Sequence, residues 1–283
     1  MSGFIMSQMS IAPALRVLGV ILLISMVCAS TVPVIAEETL SISGSTTVLP
    51  IASAAAEAFM DTHPDVDVQV SGGGSGAGIK AIGEGVVSLA MASRGLKDEE
   101  TAAYPELQTI AVAKDGIAVI VNPENPVSAL TLSELKDIYT GTFTGWSDIG
   151  GDTGKIEIVG RDSASGTREF FFEKVLEKED FTKFMLEKNS NGAVQQYVSQ
   201  TPAAIGYVGM GFEDGVKVIE LKGTDGKTQK PSIESVKSGA YPLSRELYFV
   251  TAGEPEGLAK EFIDFVMSSE GQKIVEEQGF VSL

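Results

Sequence analysis

The stretch GRDSASGTREFFF, residues 160–172, holds the residues best suited to do chemistry. Arg161 and Arg168 flank Ser163, Ala164, Ser165, Gly166 and Thr167. Small residues followed by an aromatic, helix-like segment suit the start of a helix. There the first backbone N–H groups lack intrahelical partners and the positive end of the dipole faces outward. Glycine lets that backbone approach an anion closely, and Ser and Thr add hydroxyl donors. Two other loops share the design: residues 44–47 (Gly-Ser-Thr-Thr) and residues 71–78 (SGGGSGAG). Ser and Thr are also favoured helix caps, so one such loop says little. Three in one chain, with arginines in or beside such positions, point to a site for a tetrahedral oxyanion.

Competing chemistries lack their parts. GGGSGAGIK does not end in the Gly-Lys-Ser/Thr of a P-loop, and Gly74-Ser75-Gly76 has no glycine at position 79 for a dinucleotide loop. Ser75 is not in a nucleophile elbow, because position 77 is Ala. His63 is the only histidine; in DTHPD it reads as a solvated loop residue at a helix end. That removes most Ser-His-Asp, His-metal and His-base mechanisms. No paired carboxylates or metal-ligand cluster stand out by spacing, so no catalytic residue, metal or cofactor is expected. The formal net charge is −17 with no basic cluster, which makes nucleic acid a poor partner.

The elements that must position these loops alternate. TLSIS reads as a strand, and Val48, Ile51, Ala55 and Phe59 recur at helical spacing up to His63-Pro64. VDVQV is a second strand, followed by the glycine loop and a short helix; VVSLAMAS is a third, ending at Arg94. This is the βαβ pattern of a mostly parallel sheet with helices on its faces. LQTIAVAKDGIAVIVNP is too long for one typical strand. It reads as two, broken at Lys114-Asp115-Gly116, one leaving a first sheet and one entering a second. Thr131 and Glu134 have capping-box spacing. KIEIVG is a strand, helices are expected over about residues 165–200, and AAIGYVGMG and YPLSRELYFVT are further strands. One long amphipathic helix follows, with Leu258, Phe262, Phe265, Val266 and Ile274 on one face.

A chain that leaves one sheet and returns suggests two α/β lobes with a ligand cleft between them. Lobe 1 is expected at residues 37–113 plus 246–283 and lobe 2 at residues 114–245, with crossovers near residues 114–116 and 242–245. Residues 1–36 read as an export signal: Arg16, an apolar run, then the exit Val34-x-Ala36. An uncleaved membrane anchor is the alternative. The single cysteine, Cys28, lies in this segment, which leaves no thiol chemistry for the remainder. The remainder is expected on the periplasmic or extracellular face of the cell membrane.

ISGSTTVLPIASAAAEAF, SGGGSGAGIKAI, LAMASRGL, LTLSELKDIYTGTFTGWSDI, GRDSASGTREFF and YPLSRELYFV occur in this order over nearly the whole chain after residue 36. Together they resemble the phosphate-binding proteins of high-affinity phosphate ABC transporters. The resemblance implies a two-lobed type II periplasmic-binding-protein fold that closes over dehydrated inorganic phosphate and hands it to ABC permease subunits. It implies a binder, not an enzyme, and a monomer is expected. Carried over, the family's ligand loops fall on Ser45, Thr46 and Thr47; on Ser75 and Gly76; on Ser93 and Arg94; and on Arg161, Ser165, Gly166 and Thr167.

One departure matters. Well-known members follow the third-strand Ser with an Asp that accepts the phosphate's proton, whereas this chain has Arg94. Sulfate carries no proton near neutral pH, so an acceptor carboxylate separates the two anions. Asp162 is the candidate acceptor; the other reading makes it a salt-bridge partner of Arg161 or Arg168. Another oxyanion such as sulfate, molybdate or tungstate stays open as ligand, and an extracellular phosphatase as a different class.

Overall fold

The computed structural model of the chain describes residue 3, residues 38–222 and residues 227–283. Apart from Gly3, the expected export segment and Cys28 lie outside the described residues. The strands are β1 (Glu38–Gly44), β2 (Val66–Gly72), β3 (Leu89–Ala92), β4 (Leu107–Val121), β5 (Ala129–Thr131), β6 (Glu157–Arg161), β7 (Leu186–Lys188), β8 (Ala204–Gly209), β9 (Lys217–Val218), β10 (Glu220–Lys222), β11 (Thr228–Gln229) and β12 (Ser244–Ala252). The helices are α1 (Leu49–Thr62), α2 (Ser75–Gly83), α3 (Asp98–Ala103), α4 (Leu132–Thr140), α5 (Gly166–Lys174), α6 (Asn191–Gln200), α7 (Ile233–Lys237), α8 (Gly257–Met267) and α9 (Ser269–Glu277).

The main sheet runs β2-β1-β3-β12-β4-β8-β6-β7, with β9 on β4. Its first half pairs β1, β2 and β3 in parallel, as the βαβ pattern predicts, and β12 lies antiparallel between β3 and β4. In the second half β8 runs antiparallel to β4, and β6 runs parallel to both β8 and β7. A small sheet, β11-β10-β5, stands apart.

Each half has its own core. Leu40, Ile42, Ile51, Phe59, Phe249 and Phe262 pack in the first, and Tyr139, Trp146, Phe171, Tyr207 and Tyr241 in the second. Burying one such apolar side chain contributes about 1.5–3 kcal/mol. The two largest buried clusters, one in each half of a single curled sheet, mark a two-lobed α/β architecture.

Four elements differ from expectation. The Lys-Asp-Gly triplet does not divide β4, which is one continuous strand. Asp115 stands opposite Arg245 of β12, and Lys114 exchanges backbone hydrogen bonds with Val281, so both sides hold the triplet extended. The first part of β4 pairs with β12 and the last part, from Ile117, with β8. The helical region over residues 165–200 is interrupted. Glu177 and Lys178 take positive φ, 52° and 69°, and turn the chain so that β7 can pair beside β6. The C-terminal helix is two helices: Ser268 leaves helical geometry at ψ 167° and its Oγ accepts from Gly271 N, while Val275 is the fully buried neighbour of Ile274. His63 closes α1 as read, but it is half-buried with its ring stacked 3.9 Å from Phe59.

Candidate anion-binding site

The first lobe supplies three chain turns at the ends of β1, β2 and β3. β1 ends at Gly44, with φ 142°; a Cβ there would meet the backbone of Met91, so only glycine lets the turn pass β3 this closely. Ser45 N donates to Met91 O at 2.8 Å, and Thr47 N donates to Ser45 Oγ at 3.2 Å. The chain then enters α1. The second turn opens α2 at Ser75, whose Oγ accepts from Ser93 N at 3.1 Å and lies 3.3 Å from Ser93 Oγ. Ser45, Thr46, Thr47, Ser75 and Ser93 are all buried.

The second lobe supplies the facing half. β6 delivers Arg161 inward, where Nε donates to Lys188 O and Nη2 to Asn189 O, each at 3.3 Å. Ser165 caps α5 by accepting from Arg168 N, which places Gly166 and Thr167 in the helix's first turn. The halves touch directly. Gly76 N donates to Ala164 O at 3.0 Å, Arg161 Nη2 donates to Thr46 Oγ1 at 3.1 Å, and the Thr47 and Thr167 hydroxyls are 3.1 Å apart. Gly166 must be glycine: a Cβ would collide with Ser75 Oγ and lie 2.8 Å from Ser93 Oγ. The structure therefore brings together Ser45, Thr46, Thr47, Ser75, Gly76 and Ser93 with Arg161, Ser165, Gly166 and Thr167.

Three residues that sequence reasoning did not assign to the site complete it. Arg245 of β12 is buried between the lobes. It donates to Asp115 Oδ2 from Nε at 2.8 Å and from Nη2 at 2.7 Å, to Ser93 O at 3.1 Å, and to Thr167 Oγ1 at 3.0 Å. Asp115 of β4 is fully buried; burial pushes its carboxyl up, opposed by Arg245 and by the N–H groups of Met210 and Gly116. Asn191, the first residue of α6, is also fully buried and donates to both Thr46 Oγ1 and Thr47 Oγ1. For Arg245 a signal existed. Period-2 alternation puts it on the same strand face as Leu243, Leu247 and Phe249, which are all buried. Asp115 shares a face with Ala113 and Ile117 in the same way. Asn191 carried no signal beyond following a capping serine.

The charges of the site are unequal. Arg245 is neutralised by Asp115. Arg161 is 1% exposed and, among the described residues, has no ion-pair partner. Burial pushes its guanidinium down to about 10; Tyr207 and Asp162 oppose this only in part. Asp162 pairs with neither nearby arginine. Arg168 binds Glu187 and the carbonyl of Arg161, while Oδ1 of Asp162 is buried with no hydrogen-bond partner. Arg94 is committed to Glu100, with two contacts of 2.7 Å. The result is a buried assembly of hydroxyls, helix-start N–H groups and one cation without an ion-pair partner among the described residues, which can hold a small anion.

Known proteins share this fold. A family model described as the PBP superfamily domain matches residues 33–270. The phosphate-binding protein PstS of Bacillus subtilis is 36% identical over 249 residues, which cover 87% of this chain and 81% of that one. A structure from Clostridium perfringens, described as a phosphate ABC transporter substrate-binding protein with bound phosphate, superposes with TM-score 0.80 at 38% identity, covering 87% of this chain and all of the other. An ABC-type phosphate transport receptor from Vibrio cholerae gives TM-score 0.70 at 34% identity, again over 87% of this chain and 100% of that one. The chain belongs to the PBP superfamily and, with its two-lobed type II periplasmic-binding-protein fold, to the family of phosphate-binding proteins named PstS.

Proposed function

We propose that this protein captures inorganic phosphate between its lobes and delivers it to an ABC permease. The observation that carries this reading is Arg161, a buried guanidinium without an ion-pair partner among the described residues, set where the Thr46, Ser75 and Ser165 loops meet. A buried charge is tolerated when a partner balances it, and a bound anion is such a partner. Thr46, Thr47, Thr167 and the N–H groups that open α2 and α5 supply directional donors. Charged hydrogen bonds contribute about 1.5–3 kcal/mol each, so a handful exceeds the roughly 8 kcal/mol that a micromolar dissociation constant needs. The surplus is offset by anion dehydration, lobe closure and lost ligand freedom.

β4 and β12 are the strands shared by both lobes, and residues 114–116 of one pair with residues 244–246 of the other. The hinge is assigned to these strands, with lobe 1 at residues 37–113 plus 246–283 and lobe 2 at residues 114–245. Lys97 and Glu169 form an ion pair of 2.9 Å across the mouth of the closed cleft. Delivery to a permease places the protein outside the cytoplasm, in keeping with the export segment read in residues 1–36.

We read the protein as a monomeric binder rather than an enzyme; the single histidine lies at the end of α1, and among the described residues no histidine stands beside the buried hydroxyls. Calorimetric titration of residues 37–283 with phosphate, arsenate, sulfate and molybdate at two pH values tests the reading. Micromolar or tighter phosphate binding, well above sulfate, is the expected result. No phosphate binding at micromolar concentrations overturns it. Phosphatase turnover with or without divalent metal would instead favour the enzyme reading.

A further inference from the structure

Asn191 stands outside the three loops, yet its amide nitrogen reaches across the cleft to two of their hydroxyls. Nδ2 donates to Thr46 Oγ1 at 3.1 Å and to Thr47 Oγ1 at 3.0 Å. Oδ1 accepts from Gly209 N at 3.2 Å, and this bond fixes which end of the amide faces the threonines. Asn191 is fully buried, and Ala193 N donates to Ser190 Oγ, an N-cap bond that holds the helix start carrying it.

A hydroxyl has two lone pairs and one proton. Thr46 Oγ1 accepts from Arg161 Nη2 and from Asn191 Nδ2, which uses both lone pairs. Thr47 Oγ1 also accepts from Asn191 Nδ2, but it stands 3.1 Å from the Thr167 hydroxyl, and the two protons of Arg245 Nη2 go to Asp115 and Thr167, so its remaining lone pair and proton are shared with Thr167. Thr46 is left with only its proton to offer. Without the amide, Thr46 would keep a free lone pair and could rotate to present it to an incoming oxygen, which repels an anion instead of binding it.

Resting on the phosphate-binding reading, we infer that Asn191 is a positioning residue that sets the polarity of the Thr46 hydroxyl and makes it an obligate donor to the anion. It acts only when the lobes are closed, because its own helix belongs to the second lobe and both threonines to the first.

A double-mutant cycle read by calorimetry with inorganic phosphate tests this. Asn191→Ala weakens phosphate binding by about 10- to 100-fold in the wild-type background, the scale of one or two oriented hydrogen bonds. In the Thr46→Val, Thr47→Val background, titrated at millimolar phosphate, the same substitution costs under about 3-fold, because no hydroxyl remains to orient. Asn191→Ser, which is too short to reach both threonines, serves if the alanine variant does not fold. Equal losses in both backgrounds, or no loss in wild type, overturn the inference while leaving the functional reading intact. Wild-type protein that binds no phosphate overturns the functional reading and takes this inference with it.

Discussion

The guanidinium of Arg161 donates across the cleft to the hydroxyl of Thr46, 3.1 Å away, and this contact joins the two lobes through a charge that has no ion-pair partner among the described residues. A buried cation in that state costs the protein stability, a cost that a bound anion would offset.

It follows that Arg161→Met separates stability from binding. The ligand-free variant should be as stable as wild type or more stable, by up to about 2 kcal/mol, since an unpaired buried charge is removed. Phosphate affinity should fall at least about 100-fold, since charge-assisted hydrogen bonds are lost. Chemical denaturation and calorimetry on the same preparation check both halves. A variant that unfolds readily and still binds would show that Arg161 serves the fold.

Arg245 behaves in the opposite way, because Asp115 compensates it. Asp115→Asn strands a fully buried guanidinium and should cost about 3–5 kcal/mol. Combining Asp115→Leu with Arg245→Met should restore most of that stability without restoring phosphate binding, since Arg245 also orients Thr167. Denaturation midpoints of the single and paired variants measure this. An Asp115→Asn protein as stable as its parent would mean the pair is not ionised.

Asp162 has a buried carboxylate oxygen with no partner, next in sequence to Arg161. If it accepts the P–OH proton of phosphate, Asp162→Asn should weaken phosphate by about 10-fold or more while sulfate loses little or gains. The ratio of the two affinities is the readout. A ratio unchanged by the substitution removes Asp162 as the discriminating group.

Glu213 gives the fold a pH dependence. Burial, reinforced by the charge of Asp115, raises its carboxyl from 4.5 to about 7, with Lys230 opposing. The folded state thus holds a proton that the unfolded chain releases from about pH 4.5 upward. The associated stability is fully present below that value and is lost as pH rises through 7. Allowing for partial exposure, the loss should be roughly 1–2 kcal/mol between pH 5 and pH 8. Melting temperatures across that range should fall in wild type and flatten in Glu213→Gln. Parallel profiles would assign the dependence to other groups.

The sequence by itself determined the elements and the loops. Helical and strand periodicities located β1, α1, β2, α2 and β3, and the Gly/Ser/Thr runs marked the three turns that meet in the cleft. These features are local: a glycine required by a close backbone approach, or a serine at a helix start, leaves its mark within a few residues. The segmentation errors were also local in origin. Lys114-Asp115-Gly116 looks like a break because its charge is answered only by Arg245, 130 positions away.

Only the tertiary structure decided which arginine is paired and which is free, since ion pairing depends on what the other lobe brings. Arg94 and Arg168 found Glu100 and Glu187, Arg245 found Asp115, and Arg161 was left with carbonyls and one threonine. The role of Asn191 lies wholly at this level. An amide at a helix start has no distinctive spacing, and its two threonine partners come from a strand end some 145 residues earlier.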